Sequence, residues 1–210
     1  VAGTGSLGEG APGGAATATD LHEPTGLAVA PNGSLFIADA WNHRVLRLAG
    51  GKLTLVAGGN GRGYAGDDSL ATAAMLNEPR RIAASGNGTL FILDNEAGVL
   101  REVTADGRIR RFAGGGSGDG CEQEGVPSLR ACLPWVMDLA VAPDGSRIVY
   151  VGGPNSGTQL YMRTLSEVTP VPIPGSRNGL SPFFSPDGQQ IAFVNGSKLL
   201  KVSVSGGPTL

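Results

Sequence analysis

No apolar stretch in this chain approaches the 18 residues that a membrane-spanning helix requires. The charge is nearly balanced as well: 16 Lys+Arg against 18 Asp+Glu give a net of −2, too little positive field for non-specific phosphate binding. Neither a membrane nor a nucleic acid is therefore an expected partner. Only two histidines (His22, His43) and two cysteines (Cys121, Cys132) are present, and no G-x-S-x-G elbow, Walker loop or H-E-x-x-H segment occurs. A Ser/His triad and a zinc site have no residues to rest on. The chain opens without an initiator Met and without a basic and apolar leader, so it reads as a processed, trimmed or truncated product whose compartment no targeting signal reveals. What it has in abundance is glycine (35) and proline (14), without a Gly-X-Y period, in 210 residues that are 40% hydrophobic. That combination points to a sizeable core built from short strands joined by many tight turns.

The chain repeats itself. Val1-Ala2-Gly3 returns as Val56-Ala57-Gly58 and again as Phe112-Ala113-Gly114, at intervals of 55 and 56 residues. Each Gly-rich opening runs into Leu21-His22-Glu23-Pro24, Leu76-Asn77-Glu78-Pro79 or Leu133-Pro134. An apolar strand and a turn follow, at Asn32-Gly33, Asn87-Gly88, Asp144-Gly145 and, in a fourth unit, Asp187-Gly188. Such dipeptides between β-type runs signal hairpins, because both residues tolerate positive φ. Second strands are expected at 34–38, 89–93, 147–151 and 190–194, and third strands at 44–48, 99–103, 159–163 and 199–203. Short turns at Gly50-Gly51, Asp106-Gly107 and Gly206-Gly207 introduce a fourth strand in three units. Four antiparallel strands per unit predict an all-β chain, a single β-propeller domain over 1–210 with four blades. Helical pattern is confined to one short turn near Ala71 to Leu76. The two ends, Gly206 to Leu210 and Val1 to Gly3, read as halves of one outer strand, closing the propeller within the chain or, as slightly preferred, in a homodimer.

Glu23-Pro24-Thr25-Gly26-Leu27-Ala28-Val29, Ser34 to Asp39 and Asn42-His43-Arg44-Val45 resemble the NHL repeat, with Arg44 in place of its Leu. Gly61 to Asp68 with Ala71-Thr72-Ala73 resemble the long inter-blade loop of bacterial extracytoplasmic NHL propellers. This likeness covers about residues 1–135. Over 136–210, Ala142-Pro143-Asp144-Gly145-Ser146-Arg147 and Ser185 to Phe193 resemble the TolB-like propeller repeat instead. Both resemblances imply a propeller; neither implies one activity.

Several clusters carry possible chemistry. Two G-x-G-x-x-G matches, Gly3 to Gly8 and Gly61 to Gly66, open no helix in a βαβ unit and read as loop glycines. Cys121 and Cys132, eleven positions apart in the third inter-blade loop, read as a disulfide, which fits an extracytoplasmic or secreted setting. Asp39-Ala40-Trp41-Asn42-His43 joins two strands of blade one; its Asp and Asn suit local backbone capping, whereas Trp41, Asn42 and His43 also form a candidate ligand surface. Residues before each first strand converge at the channel mouth: Glu23, Thr25 and Gly26; Glu78, Arg80 and Arg81; Met137 and Asp138; Leu180 and Ser181. Here Glu78 and Asp138 either neutralise Arg80 and Arg81 or, with Glu23, hold a calcium ion. The basic run Arg108-Ile109-Arg110-Arg111 is expected to guard an outer edge.

Two functions follow. The leading one is a module that binds a small ligand or a protein at the channel mouth and loop face, through Trp41, Asn42, His43, Arg80 and Arg81. The alternative comes from an architectural resemblance to gluconolactonase-like calcium-dependent propeller lactonases, with Glu23, Glu78 and Asp138 as metal ligands. Thr25, Arg80 and Met137 stand where that family's Asn or Asp ligands would be, so this sequence departs from its pattern.

Overall fold

The computed structural model describes residues 2–30, 32–115, 138–152, 157–167 and 169–207. The disulfide expected at Cys121 and Cys132, the mouth residue Met137, and the terminal residues Val1 and Pro208 to Leu210 lie outside them. Two compact units are formed, Val1–Ala84 with Gly88–Arg111, and Ser85–Asn87 with Phe112–Leu210.

In the first unit, β1 (Pro24–Val29), β2 (Leu35–Asp39), β3 (Arg44–Ala49) and β4 (Lys52–Gly58) form one antiparallel sheet in chain order. A second sheet repeats it with β6 (Pro79–Ala84), β7 (Leu90–Asp94), β8 (Val99–Val103) and β9 (Arg108–Gly114). Here the expected edge is not an edge. The two-residue β5 (Ser69–Leu70) pairs with β9 through Ser69 and Ile109 and through Leu70 and Arg108. Arg108 and Arg110 do point outward around buried Ile109, but Arg108 donates to the Asp68 carbonyl (2.9 Å) and Arg110 to Glu102 Oε1 (2.7 Å). The basic run therefore fastens a covered strand.

The second unit holds β10 (Leu139–Val141), β11 (Arg147–Gly152), β12 (Gln159–Thr164) and β13 (Val171–Pro172), then a three-stranded sheet of β14 (Gly179–Phe184), β15 (Gln190–Asn195) and β16 (Lys198–Ser203). Each sheet is a blade, and the four blades make this a β-propeller chain. Ala2 and Gly3 join no strand; the Gly3 N–H donates to the Ala16 carbonyl at 2.9 Å. Of the expected shared outer strand, the described residues Ala2, Gly3, Gly206 and Gly207 lie outside the strands.

Alternation explains the packing. Ala38 and Val45 of blade one meet Ile82, Leu90, Ile92 and Val103 of blade two in a shared core. On the opposite face of blade one, Ile37, Leu46 and Leu53 pack under Ala16 and Leu21 of the preceding loop. The loops repeat as strictly as the blades. Leu7 bridges Leu21 as Arg62 bridges Leu76, the Gly8 N–H reaches the Leu21 carbonyl as Gly63 reaches that of Leu76, and 3-10 turns sit at Ala16–Ala18 and Ala71–Ala73. Both G-x-G-x-x-G segments are these loops. Gly58 shows why glycine recurs there: its φ is +76°, and a Cβ would lie 2.2 Å from the His43 carbonyl.

Candidate functional site

The last residue of β2, Asp39, is fully buried. Its Oδ1 accepts the backbone N–H of His22 at 2.7 Å, and its Oδ2 accepts Arg44 Nε (2.7 Å) and Asn42 Nδ2 (2.9 Å). Arg44 then donates to the carbonyls of Gly10 (2.9 Å) and Asp20 (3.4 Å), and Asn42 to that of Gly8 (2.9 Å). A buried carboxylate held by a guanidinium and a backbone N–H is satisfied, and it staples the inter-blade loop to the blade. Asn42 is accordingly drawn into this anchor: its amide nitrogen serves Asp39 and Gly8, not the surface.

Blade two rebuilds the anchor from another position. Asp94 Oδ1 accepts the Asn77 N–H at 2.5 Å, but Ala97 and Val99 stand where Asn42 and Arg44 would be. Arg101, two residues further along β8, supplies the guanidinium and donates to the carbonyls of Met75 (2.8 Å) and Ala65 (3.1 Å), the counterparts of Asp20 and Gly10. It also pairs with Asp67 (2.8 Å) and lies 5.0 Å from the centroid of the Tyr64 ring, whose hydroxyl donates to Asp67 (2.5 Å). Burial pushes the Tyr64 phenol up to about 12, with Asp67 acting in the same direction. Asp94 gains less: Arg101 Nη1 stays 3.9 Å from its Oδ2, which has no hydrogen bond. Burial pushes Asp94 up to about 7, against the pull of the Asn77 N–H and Arg101.

On this frame sits a surface made from both blades of the first unit. Trp41, half exposed, rests 5.3 Å from the His22 ring at a 40° tilt. His43 ends the 3-10 turn Ala40–Asn42 with φ +51°, and its Nδ1 accepts the Glu78 N–H at 3.2 Å. Burial, then Arg62, hold His43 below the usual imidazole range, with Glu78 and Glu9 opposing. The neutral ring thus accepts at Nδ1 and carries its proton at Nε2. Glu78 in turn takes Arg80 at 2.9 Å. Both first strands begin with a bulge, at Thr25 in β1 and Arg80 in β6, each preceded by a glutamate at positive φ, Glu23 (49°) and Glu78 (58°). The bulges re-aim the two residues toward each other, and Thr25 Oγ1 donates to the Arg80 carbonyl at 3.1 Å. Arg81 reaches the Thr25 carbonyl at 3.3 Å.

His43, Glu78 and Arg80 are thus brought together, Arg81 is tied to Thr25, and Trp41, on the loop that carries His43, packs against His22. Of the proposed metal ligands, Glu23 is exposed on the first unit and Glu78 is engaged by Arg80. Asp138 belongs to the second unit, where its Oδ1 accepts the Leu139 N–H at 2.9 Å. Among the described residues no group of three or more His, Cys, Asp or Glu is placed to hold a metal ion. Ser181 of β14 repeats the positive φ (51°) at a third bulge. The second unit also has an apolar cleft of about 220 Å³ lined by Met162, Val171, Ile173, Ile191 and Val204, without a charged side chain.

Compared with known families, residues 21–48 match the NHL repeat. The chain carries an NHL repeat. That repeat contains Trp41 and the whole side-chain part of the Asp39 anchor. Teneurin-m of Drosophila melanogaster is 29% identical over 192 residues, which cover 83% of this chain and 7% of that protein. The chain spans 8% or less of the length of the curated relatives it matches. Among solved structures, a chain of a nidogen/laminin complex superposes with a TM-score of 0.59 at 12% identity, covering 89% of this chain and 63% of that one. A gluconolactonase from Xanthomonas campestris superposes with a TM-score of 0.58 at 16% identity, covering 88% and 59%. These superpositions establish the propeller fold around the NHL repeat.

Proposed function

We propose that this NHL-repeat propeller is a non-catalytic binding module that recognises a polypeptide through the loop face of its first unit. The observation that carries the reading is Trp41, an aromatic ring left half exposed on a loop whose neighbours are pinned by a buried ion pair. A rigid aromatic packed against the His22 ring, on the loop whose His43 reaches the Glu78 backbone, offers apolar area with polar groups on the same loop, the composition of an interaction hot spot. The NHL-repeat fold and the superposition on a chain of a nidogen/laminin complex support a protein partner. A small ligand at the same loop face remains within this reading, and an extracytoplasmic or secreted setting belongs to it through Cys121 and Cys132.

The alternative, a calcium-dependent lactonase, takes its support from the superposition on a gluconolactonase. It has less in its favour, because Arg80 already neutralises the Glu78 carboxylate.

A displayed random-peptide library, selected on the wild-type protein and counter-selected on Trp41→Ala, tests the first reading. Peptides that bind the wild type at least about tenfold more tightly than the variant are expected. Recovery of none that depends on Trp41 would count against it. Glucono-1,5-lactone hydrolysis with calcium, abolished by chelator, would establish the alternative.

A further inference from the structure

Asp39 and Asp94 hold the same position in consecutive repeats, and the loop groups around them correspond as well. The Gly8 N–H donates to the Leu21 carbonyl as that of Gly63 does to Leu76, and the Trp41 N–H to the His22 carbonyl as that of Glu96 does to Asn77. Each aspartate Oδ1 takes the N–H of the residue that follows the leucine, His22 or Asn77. Arg44 and Arg101 serve equivalent carbonyls, Gly10 with Asp20 and Ala65 with Met75. One side chain has no counterpart. In blade one the Asn42 amide nitrogen donates both to Asp39 Oδ2 and to the Gly8 carbonyl, each at 2.9 Å. In blade two that position is Ala97, whose side chain has no polar atom.

No other side chain makes good the loss. Asp94 is fully buried, its Oδ2 has no hydrogen bond, and Arg101 Nη1 stops 3.9 Å away, beyond hydrogen-bond reach. The Gly63 carbonyl, which stands where that of Gly8 does, receives no donor among the described residues. Two acceptors that share one donor in the first repeat therefore have none in the second. A buried carboxylate oxygen left in this way is costly, and native proteins pair such groups with protein or with ordered water. Alanine in place of asparagine also removes a carboxamide, which is larger than a water molecule.

We infer that the second repeat binds one buried water where the first has the Asn42 amide, a water that donates to Asp94 Oδ2 and the Gly63 carbonyl and accepts from Arg101 Nη1. Such a set of polar partners is the usual complement of an internal water. Arg101 Nη1 spends one hydrogen on the Met75 carbonyl and keeps its second for this bond. An ammonium ion would supply donors too, but it cannot accept from Arg101, and a second cation beside that guanidinium is repelled. All the groups involved belong to the first unit. One repeat thus fastens its inter-blade loop with a side chain, and the next fastens its loop with an exchangeable solvent molecule. This inference is independent of the ligand reading, which concerns the loop face.

High-resolution crystal structures of the wild type, Ala97→Asn and Asn42→Ala, from crystals grown without ammonium salts, test it. The wild type should show one ordered peak within about 3.2 Å of both Asp94 Oδ2 and the Gly63 carbonyl oxygen. In Ala97→Asn the introduced amide should take the place of that peak and raise the melting temperature by about 2 °C or more, because a direct bond replaces an immobilised water. Asn42→Ala provides the reciprocal case: a new peak should appear between Asp39 Oδ2 and the Gly8 carbonyl, so the test stands even if the other variant does not fold. A wild type without the peak, its Asp94 Oδ2 bonded directly to Arg101 or to the Gly63 carbonyl, overturns the inference. A peak that persists in Ala97→Asn, or an Asn42→Ala structure that gains none, overturns it equally.

Discussion

Asp39 and Asp94 occupy the same place in consecutive repeats, yet they face different electrostatics. Asp39 has Arg44 and Asn42 at hydrogen-bond distance, so Arg44→Leu leaves a buried carboxylate without its cation and frees the carbonyls of Gly10 and Asp20. Destabilisation of about 3 kcal/mol or more is expected, read as a lowered denaturation midpoint in urea; an unchanged midpoint would show that the anchor carries no stability. Asp94 has its carboxyl pushed up to about 7 from an unfolded value near ~3.9. The folded state therefore holds this proton more tightly than the unfolded chain does. Its contribution to stability is complete below about pH 4 and is lost as pH rises through about 7. Asp94→Asn should remove that loss, so that the wild type melts progressively lower than the variant between about pH 4 and 7, with a constant gap above. Parallel melting profiles would contradict it. The aspartates were visible in the sequence as polar residues at strand ends. Arg101 was not, because its guanidinium arrives from two residues beyond the aligned position; the signal for it was the loss of both Asn42 and Arg44 equivalents around a retained Asp94.

At the scale of elements, the repeated opening of the first strands carries the most information. Glu23 and Glu78 adopt positive φ immediately before Pro24 and Pro79, in a region that costs an L residue about 1 kcal/mol. Glu23→Gly relieves this, offset in part by greater freedom in the unfolded chain, and should raise the melting temperature slightly; Glu78→Gly should gain less because it forfeits Arg80. Equal gains would mean that the Glu78–Arg80 pair contributes nothing. Most strands were legible to within a few residues, since Asn-Gly and Asp-Gly turns fix hairpin positions and alternation fixes the faces. The starts of β1, β6 and β14 were missed because a bulge breaks alternation there. The two-residue strands β5 and β13 have too few residues to show any period, and the missing β5 is what made Arg108 to Arg111 look like an edge.

For the whole molecule, the 55-residue period was enough to recognise blades, and of the NHL-like stretch over about residues 1–135 the family match covers residues 21–48. The surface around Trp41 was legible only as a list of polar and aromatic residues. That His43 would reach the Glu78 backbone, and that bulges would turn Thr25 and Arg80 toward each other, depends on contacts between blades that no local pattern encodes. If the Cys121 to Cys132 bridge is formed, thiol titration of the unfolded, unreduced protein should find no free thiol, and two would contradict it. The claim on which the account turns is the location of the binding face, and a hydrogen-exchange footprint of a selected peptide on the intact chain measures it most directly. Protection confined to residues 40–43 and 77–81 is the predicted result. Protection that leaves these segments unchanged and appears along the apolar cleft of the second unit would contradict it.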